Sequence, residues 1–172
     1  MSEKAVVSVV CVSHRELLTT LTRRLADLGC NLTDTTFAAL SGTAEFTAIC
    51  ELPVGVTRDV LVDEVEALPE IAGGRVSVSA YQPQAGAAGR ISHRLEFAGT
   101  DRPGLVLALA EALTAGGAEV VRLNTHAESD VEGASQVIRF AVALADDAAE
   151  ACLTSVKEAA DSLGLECRVE DA

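Results

Sequence analysis

A helix-start signal at Ser13 and a helix-stopping glycine at Gly29 recur, at the same spacing, as Asp101 and Gly117. The offset between the copies is 88 residues (101 − 13). Across it Leu17 falls on Leu105, Leu25 on Leu113 and Leu32 on Val120 without a gap. In a chain of 172 residues this leaves room for two copies of one small module. The repeat predicts module 1 at residues 1–81, a linker at 82–90 and module 2 at 91–172. A module of this size buries only about 60–65% of its unfolded surface, so packing of one copy on the other would help both.

Each copy has the same hydrophobic punctuation. In module 1 the β-branched run Ala5–Val12 predicts a buried strand. Leu17, Leu18, Leu21, Leu25 and Leu28 recur at helical spacing, and Gly29 stops that helix. Leu32–Leu40 is Thr-rich and extended, Ser41-Gly42 is a hairpin signal, and Phe46, Ala48, Cys50 and Leu52 then alternate with Glu45, Thr47, Ile49 and Glu51. Thr57 is placed to cap a second helix with Leu61, Val65 and Leu68 inward, and Arg75–Tyr81 closes the module as a strand.

Module 2 repeats the order. A short strand Arg94–Ala98 precedes a helix lined by Leu105, Leu109, Ala112 and Leu113. Val120–Glu128 and Gln136–Leu144 form a hairpin, Cys152, Leu153, Val156 and Leu163 line the last helix, and Leu165–Val169 is the final strand. Aligning Phe140, Val142 and Leu144 with Phe46, Ala48 and Cys50 gives an offset of 94 (140 − 46), which implies six extra residues in the turn near Asp130–Gly133. Insertions in an exposed hairpin cost little. The expected fold is α+β: two ferredoxin-like βαββαβ modules, each an antiparallel four-stranded sheet with its helices on one face.

Composition narrows the function. The net charge is −13 and aromatic residues are only 3%, with no Trp. Nucleic-acid binding calls for a basic patch, and base stacking calls for exposed rings, so neither a nucleic-acid partner nor a DNA-reading element is expected. No stretch could span a bilayer as a helix, and the apolar run Ala5–Val12 is too short for a secretory leader, so a cytoplasmic location is expected and no membrane partner. The five cysteines include no CxxC pair and sit in apolar patterns, as free core thiols do. His14, His93 and His126 show no metal-ligand spacing. No P-loop, GxGxxG, GxSxG or HExxH is present, so neither metal, cofactor nor enzymatic activity is expected.

The richest local signal is Thr100-Asp101-Arg102-Pro103-Gly104-Leu105. Asp101 is placed to cap the following helix, Pro103 is tolerated in a first turn, and Gly104 leaves the backbone N–H groups accessible. Donors of this kind, with the positive end of the helix dipole, suit a carboxylate. A helix cap that binds nothing fits the same residues.

Asp-Arg-Pro-Gly-Leu between a first strand and first helix, followed by Gly-Ala-Glu-Val (Gly117–Val120), resembles the ACT domain, a small amino-acid-sensing regulatory module. The resemblance covers both repeats. The tandem form without a catalytic domain is most similar to the glycine-cleavage transcriptional repressor family, whose first-module segment is matched by Gly29-Cys30-Asn31-Leu32-Thr33-Asp34 and whose second-module segment is matched by Thr100–Gly104. The resemblance implies a site for glycine or serine between modules. Asp101, Arg102, Gly104 and Leu105 would come from the loop and Asn31 from the strand start, because an Asn amide both donates and accepts. It further implies regulation through a DNA-binding transcription-factor partner and a homodimer.

The copies differ where the ligand would sit. Glu16 stands in module 1 where Gly104 stands in module 2, and Ser13-His14-Arg15-Glu16 reads as a capping box whose carboxylate would fill and repel. Glu119 stands where Asn31 stands, and an ionised carboxylate cannot donate. One hybrid site and one dead pseudo-site are therefore expected. Two other readings fit the same fold: a ligand-free protein-interaction module, and a small enzyme of acylphosphatase type that would use Arg102 to grip an anion and Asn31 to hold water.

Overall fold

A computed structural model describes residues 3–83, 90–130 and 133–172, without the side chains of 128–130 and 133. The chain divides into two compact units, Met1–Pro83 and Gln84–Ala172. Residues 84–89 of the expected linker and 131–132 of the expected hairpin turn lie outside the described residues.

The first unit runs β1 (Glu3–Val12), α1 (Leu17–Asp27), β2 (Asn31–Leu40), β3 (Thr43–Leu52), α2 (Arg58–Glu66), a 3₁₀ turn (Pro69–Ile71) and β4 (Arg75–Ala80). The second runs β5 (His93–Thr100), α3 (Leu105–Ala115), β6 (Glu119–Asp130), β7 (Gly133–Ala143), α4 (Asp146–Ser162) and β8 (Glu166–Asp171). The sheets are antiparallel with strand orders β2-β3-β1-β4 and β6-β7-β5-β8. Both units are βαββαβ ferredoxin-like sandwiches.

The apolar run of β1 splits by strand period rather than being buried throughout. Ala5, Val7, Val9 and Cys11 are buried, while Val10 and Val12 are exposed on the opposite sheet face. Helix α1 buries Leu17, Leu21 and Leu25, each worth about 1.5–3 kcal/mol on transfer from water. Leu18, expected on that face, is exposed, at the edge of the stripe that Leu17, Leu21 and Leu25 define. Thr57 caps α2 as expected, its Oγ1 accepting from the Val60 N–H at 3.3 Å. Both first helices end alike: Gly29 (φ 76°) and Gly117 (φ 79°) follow them, and Cys30 N–H and Ala118 N–H donate back to Leu25 and Leu113.

The register corrects the hairpin reading. Val7 pairs with Ala48, and its repeat-mate Leu95 pairs with Phe140, so the offset is 92 (140 − 48), not 94. The insertion is therefore four residues. It lengthens the strands instead of the turn: Leu40 pairs with Thr43 as Glu128 pairs with Ser135, and the rungs Ser129–Ala134 and Asp130–Gly133 are added beyond. Apolar residues at every second position match equally well two residues out of step, and only pairing to β5 fixes which match is right. Both edge strands also carry a bulge at the same repeat position, between Leu32 and Asp34 and between Val120 and Arg122.

Candidate functional site

The end of β5 turns into α3 through Asp101–Gly104. The residue at the N-cap of α3 is Gly104, in left-handed geometry (φ 92°, ψ −4°), and no side chain caps the helix. The expected Asp101 cap is not formed. Asp101 lies three residues too early, and its own N–H donates to the Ala134 carbonyl at 3.0 Å, tying the loop to the start of β7. A Cβ on Gly104 would meet nothing within 4 Å, so glycine is required here by backbone conformation and not by crowding.

Asp101, Arg102, Gly104 and Leu105 come together around one surface concavity, shared with Pro103 and Gln136. Leu105 contributes only its backbone end, since its side chain is buried in the core. Arg102 is already engaged: its Nη2 donates to the Leu163 carbonyl at the C-cap of α4. A guanidinium there satisfies a carbonyl that the helix leaves unpaired and meets the negative end of its dipole. Sequence reasoning missed this role, because the partner lies 61 residues away.

Asn31 belongs to the first unit, at the start of β2, and is exposed. Its Nδ2 donates to Glu51 Oε2 at 3.3 Å on the neighbouring strand, and Glu51 Oε1 lies 3.1 Å from Lys4 Nζ. Hydrogen bonding from Lys4, then from Asn31, holds the Glu51 carboxyl below the usual carboxylate range.

The matching loop of the first unit is built differently. Glu16 is the N-cap of α1 with φ −96°, in ordinary right-handed geometry, and its side chain makes no cap hydrogen bond. The expected capping box is absent: the Ser13 N–H, which Glu16 was to accept, donates instead to the Gly42 carbonyl at 2.8 Å. The Ser13 and Asp101 bonds are equivalent, each anchoring a strand end to the neighbouring hairpin.

Among the described residues no cluster of His, Cys, Asp and Glu could hold a metal ion, and no helix is long and apolar enough to cross a membrane. Four cysteines are buried thiols and Cys167 is half-buried. Burial, with a smaller contribution from Cys30, pushes Cys50 up to about 11.

No protein-family model matches this sequence, and no curated protein matches it. Solved structures do. An unknown protein from Galdieria sulphuraria superimposes with a TM-score of 0.82 at 19% identity, over 100% of this chain and 99% of that one. A protein described provisionally as a glycine cleavage system transcriptional repressor superimposes with a TM-score of 0.67 at 12% identity, over 100% and 98%. The fold is thus a tandem ACT-like one, and both of these structures match this chain over its whole length.

Proposed function

We propose that this chain is a non-catalytic sensor of a small amino acid, of the glycine or serine class, and that it regulates transcription indirectly through a DNA-binding protein. The observation that carries this reading is the bare start of α3. Its N-cap is a glycine with no side-chain cap, it opens on a concavity, and its repeat-mate Glu16 would place a carboxylate where a ligand carboxylate would bind. Free N–H groups and the helix dipole favour an anionic oxygen at that point. Asn31 supplies the second recognition element in this reading, with an amide oxygen able to accept from a ligand ammonium. The acylphosphatase alternative is less well supported, since Arg102 is spent on the Leu163 carbonyl. A homodimer in the cytoplasm belongs to the same reading. The edge strand β2, exposed along nearly its whole length, supports pairing of copies.

Thermal unfolding with and without glycine or serine tests the proposal. A ligand at 100 times its dissociation constant stabilises by about 2.7 kcal/mol. Gly104→Glu and Asn31→Ala are expected to abolish the shift, and Glu16→Gly to leave it intact. A shift that survives Gly104→Glu, or none with any amino acid, overturns the reading.

A further inference from the structure

The open face of the second sheet, opposite its helices, holds a cavity of about 520 Å3. Its register is informative. One row across the sheet reads Arg122, Ala141, Arg94, Glu170, and the adjacent row reads Asn124, Arg139, Glu96, Arg168. Three guanidiniums, on Arg94, Arg122 and Arg139, therefore surround the short side chain of Ala141, with Arg168 in the next row. Strands lie about 4.8 Å apart, so Arg94 and Arg122 flank the Ala141 floor from the two strands beside it.

Two features mark this as more than a solvated surface. The first is charge. The chain carries only 13 Lys and Arg against 26 Asp and Glu, yet four arginines and two glutamates line this cavity. Arg139 Nε is held by Glu96 Oε2 at 2.7 Å. Among the described residues Arg94, Arg122 and Arg168 form no ion pair. Like charges brought together without partners repel, unless an anion joins them.

The second feature is the other repeat. The same positions in the first unit are Val6, Ser8, Asp34, Thr36, Thr47, Ile49, Ser77 and Ser79. There the floor residue is Ile49 in place of Ala141, and Ser8 and Thr47 share a hydrogen bond of 3.2 Å where the second unit has Glu96 and Arg139. No arginine stands at any of these positions. The cradle is thus a property of one copy and not of the fold.

We propose that the Ala141 cradle binds the phosphate group of a small metabolite, separately from the α3 site. A single carboxylate is satisfied by one guanidinium fork, whereas the two unpaired forks of Arg94 and Arg122, with the Arg139 guanidinium held beside them by Glu96, match a dianion with three exposed oxygens. The cavity is also of small-molecule size.

Calorimetry on the full chain at low salt, with pyrophosphate and inorganic phosphate as probes, tests this. One pyrophosphate per chain is expected. Arg94→Ala and Arg122→Ala should each weaken it at least 10-fold. So should Ala141→Ile, which removes no charge and installs the residue the first unit tolerates. Arg75→Ala, on the first sheet, should change it less than 2-fold. Circular dichroism of each variant confirms folding, and the two arginine variants add no bulk. The proposal is overturned if pyrophosphate does not bind, if Ala141→Ile binds as wild type, or if citrate binds more tightly than pyrophosphate. It is equally overturned if Arg94→Ala and Arg122→Ala abolish only self-association, which would assign the face to an acidic surface of a second copy.

Discussion

At the end of the first strand the two units solve one packing problem in opposite ways. In the first, Cys11 lies opposite Gly74, and a Cβ on Gly74 would come within 2.7 Å of the Cys11 Cβ and 2.9 Å of two carbonyl oxygens. In the second the small residue is on the other strand: Gly99 lies opposite Leu165, whose Cδ2 sits 2.6 Å from where a Gly99 Cβ would be. The core shows the same exchange. Phe46 and Ala48 in β3 become Ile138 and Phe140 in β7, and Phe140 meets Phe97 edge-to-face at 6.1 Å. Interiors are close-packed, so what persists between copies is the filled volume at a site and not the residue at either position. Surfaces carry no such constraint. There the copies diverge freely, from Ser and Thr to Arg on the open face and from Glu16 to Gly104 at the helix start.

The strongest way to break this comparison is to mix the two solutions. Gly99→Cys alone overpacks against Leu165 and should cost about 1–3 kcal/mol in urea unfolding. Adding Leu165→Gly, which recreates the Cys11–Gly74 arrangement, should recover part of that loss through a favourable coupling. Strictly additive losses would show that the two strand ends are not interchangeable.

Exchanging the helix starts gives the next largest effect. Gly104→Glu forces a side chain into left-handed geometry and should destabilise by about 1–2 kcal/mol. Glu16→Gly, at φ −96°, relieves no strain and should cost under about 1 kcal/mol. Equal effects would mean that the two loops relax to one conformation. Arg102→Ala should cost about 1 kcal/mol, since the bond is charge-assisted but exposed. The corresponding Ser13–Glu16 loop has no such bond among the described residues, and His14→Ala, at the repeat-mate of Arg102, should leave stability unchanged.

Titration separates the copies more finely. Burial raises Cys11, Cys30, Cys50, Cys152 and Cys167. An unfolded thiol ionises near 8.5 and the folded ones higher, so the unfolded state binds fewer protons as pH climbs past that value, and stability should fall with alkaline pH. A thiol reagent at pH 8 should label Cys50, with its value near 11, among the slowest; labelling at the unfolded rate would contradict its burial. The smallest effect concerns Glu51. Its carboxyl resonance should titrate below the ordinary glutamate value and rise towards it in Lys4→Ala. Because the folded value is depressed, the small stabilisation is present above the unfolded pKa and lost as pH falls through the folded one.

Much of the fold was legible because it depends on local rules. Helix stops at Gly29 and Gly117, the Thr57 cap and the alternation of Phe46, Ala48, Cys50 and Leu52 are written in neighbouring residues. The candidate site was legible as a motif and misjudged in its wiring. Ser13 and Asp101 have cap chemistry, but the backbone turns so that Glu16 and Gly104 occupy the N-caps instead, and the N–H groups of Ser13 and Asp101 go to hairpins elsewhere in the chain.

The amino-acid order by itself determined that one module is repeated, that Gly29 and Gly117 stop its first helices, and that Gly104 and Glu16 stand at equivalent points. Only tertiary structure decided the true hairpin register, the commitment of Arg102 to Leu163, the exchange of Cys11–Gly74 for Gly99–Leu165, and the gathering of Arg94, Arg122 and Arg139 around Ala141. Periodicity reports which face a side chain occupies. It does not report which residue lies opposite on the next strand, because that choice depends on pairing between segments distant in the chain.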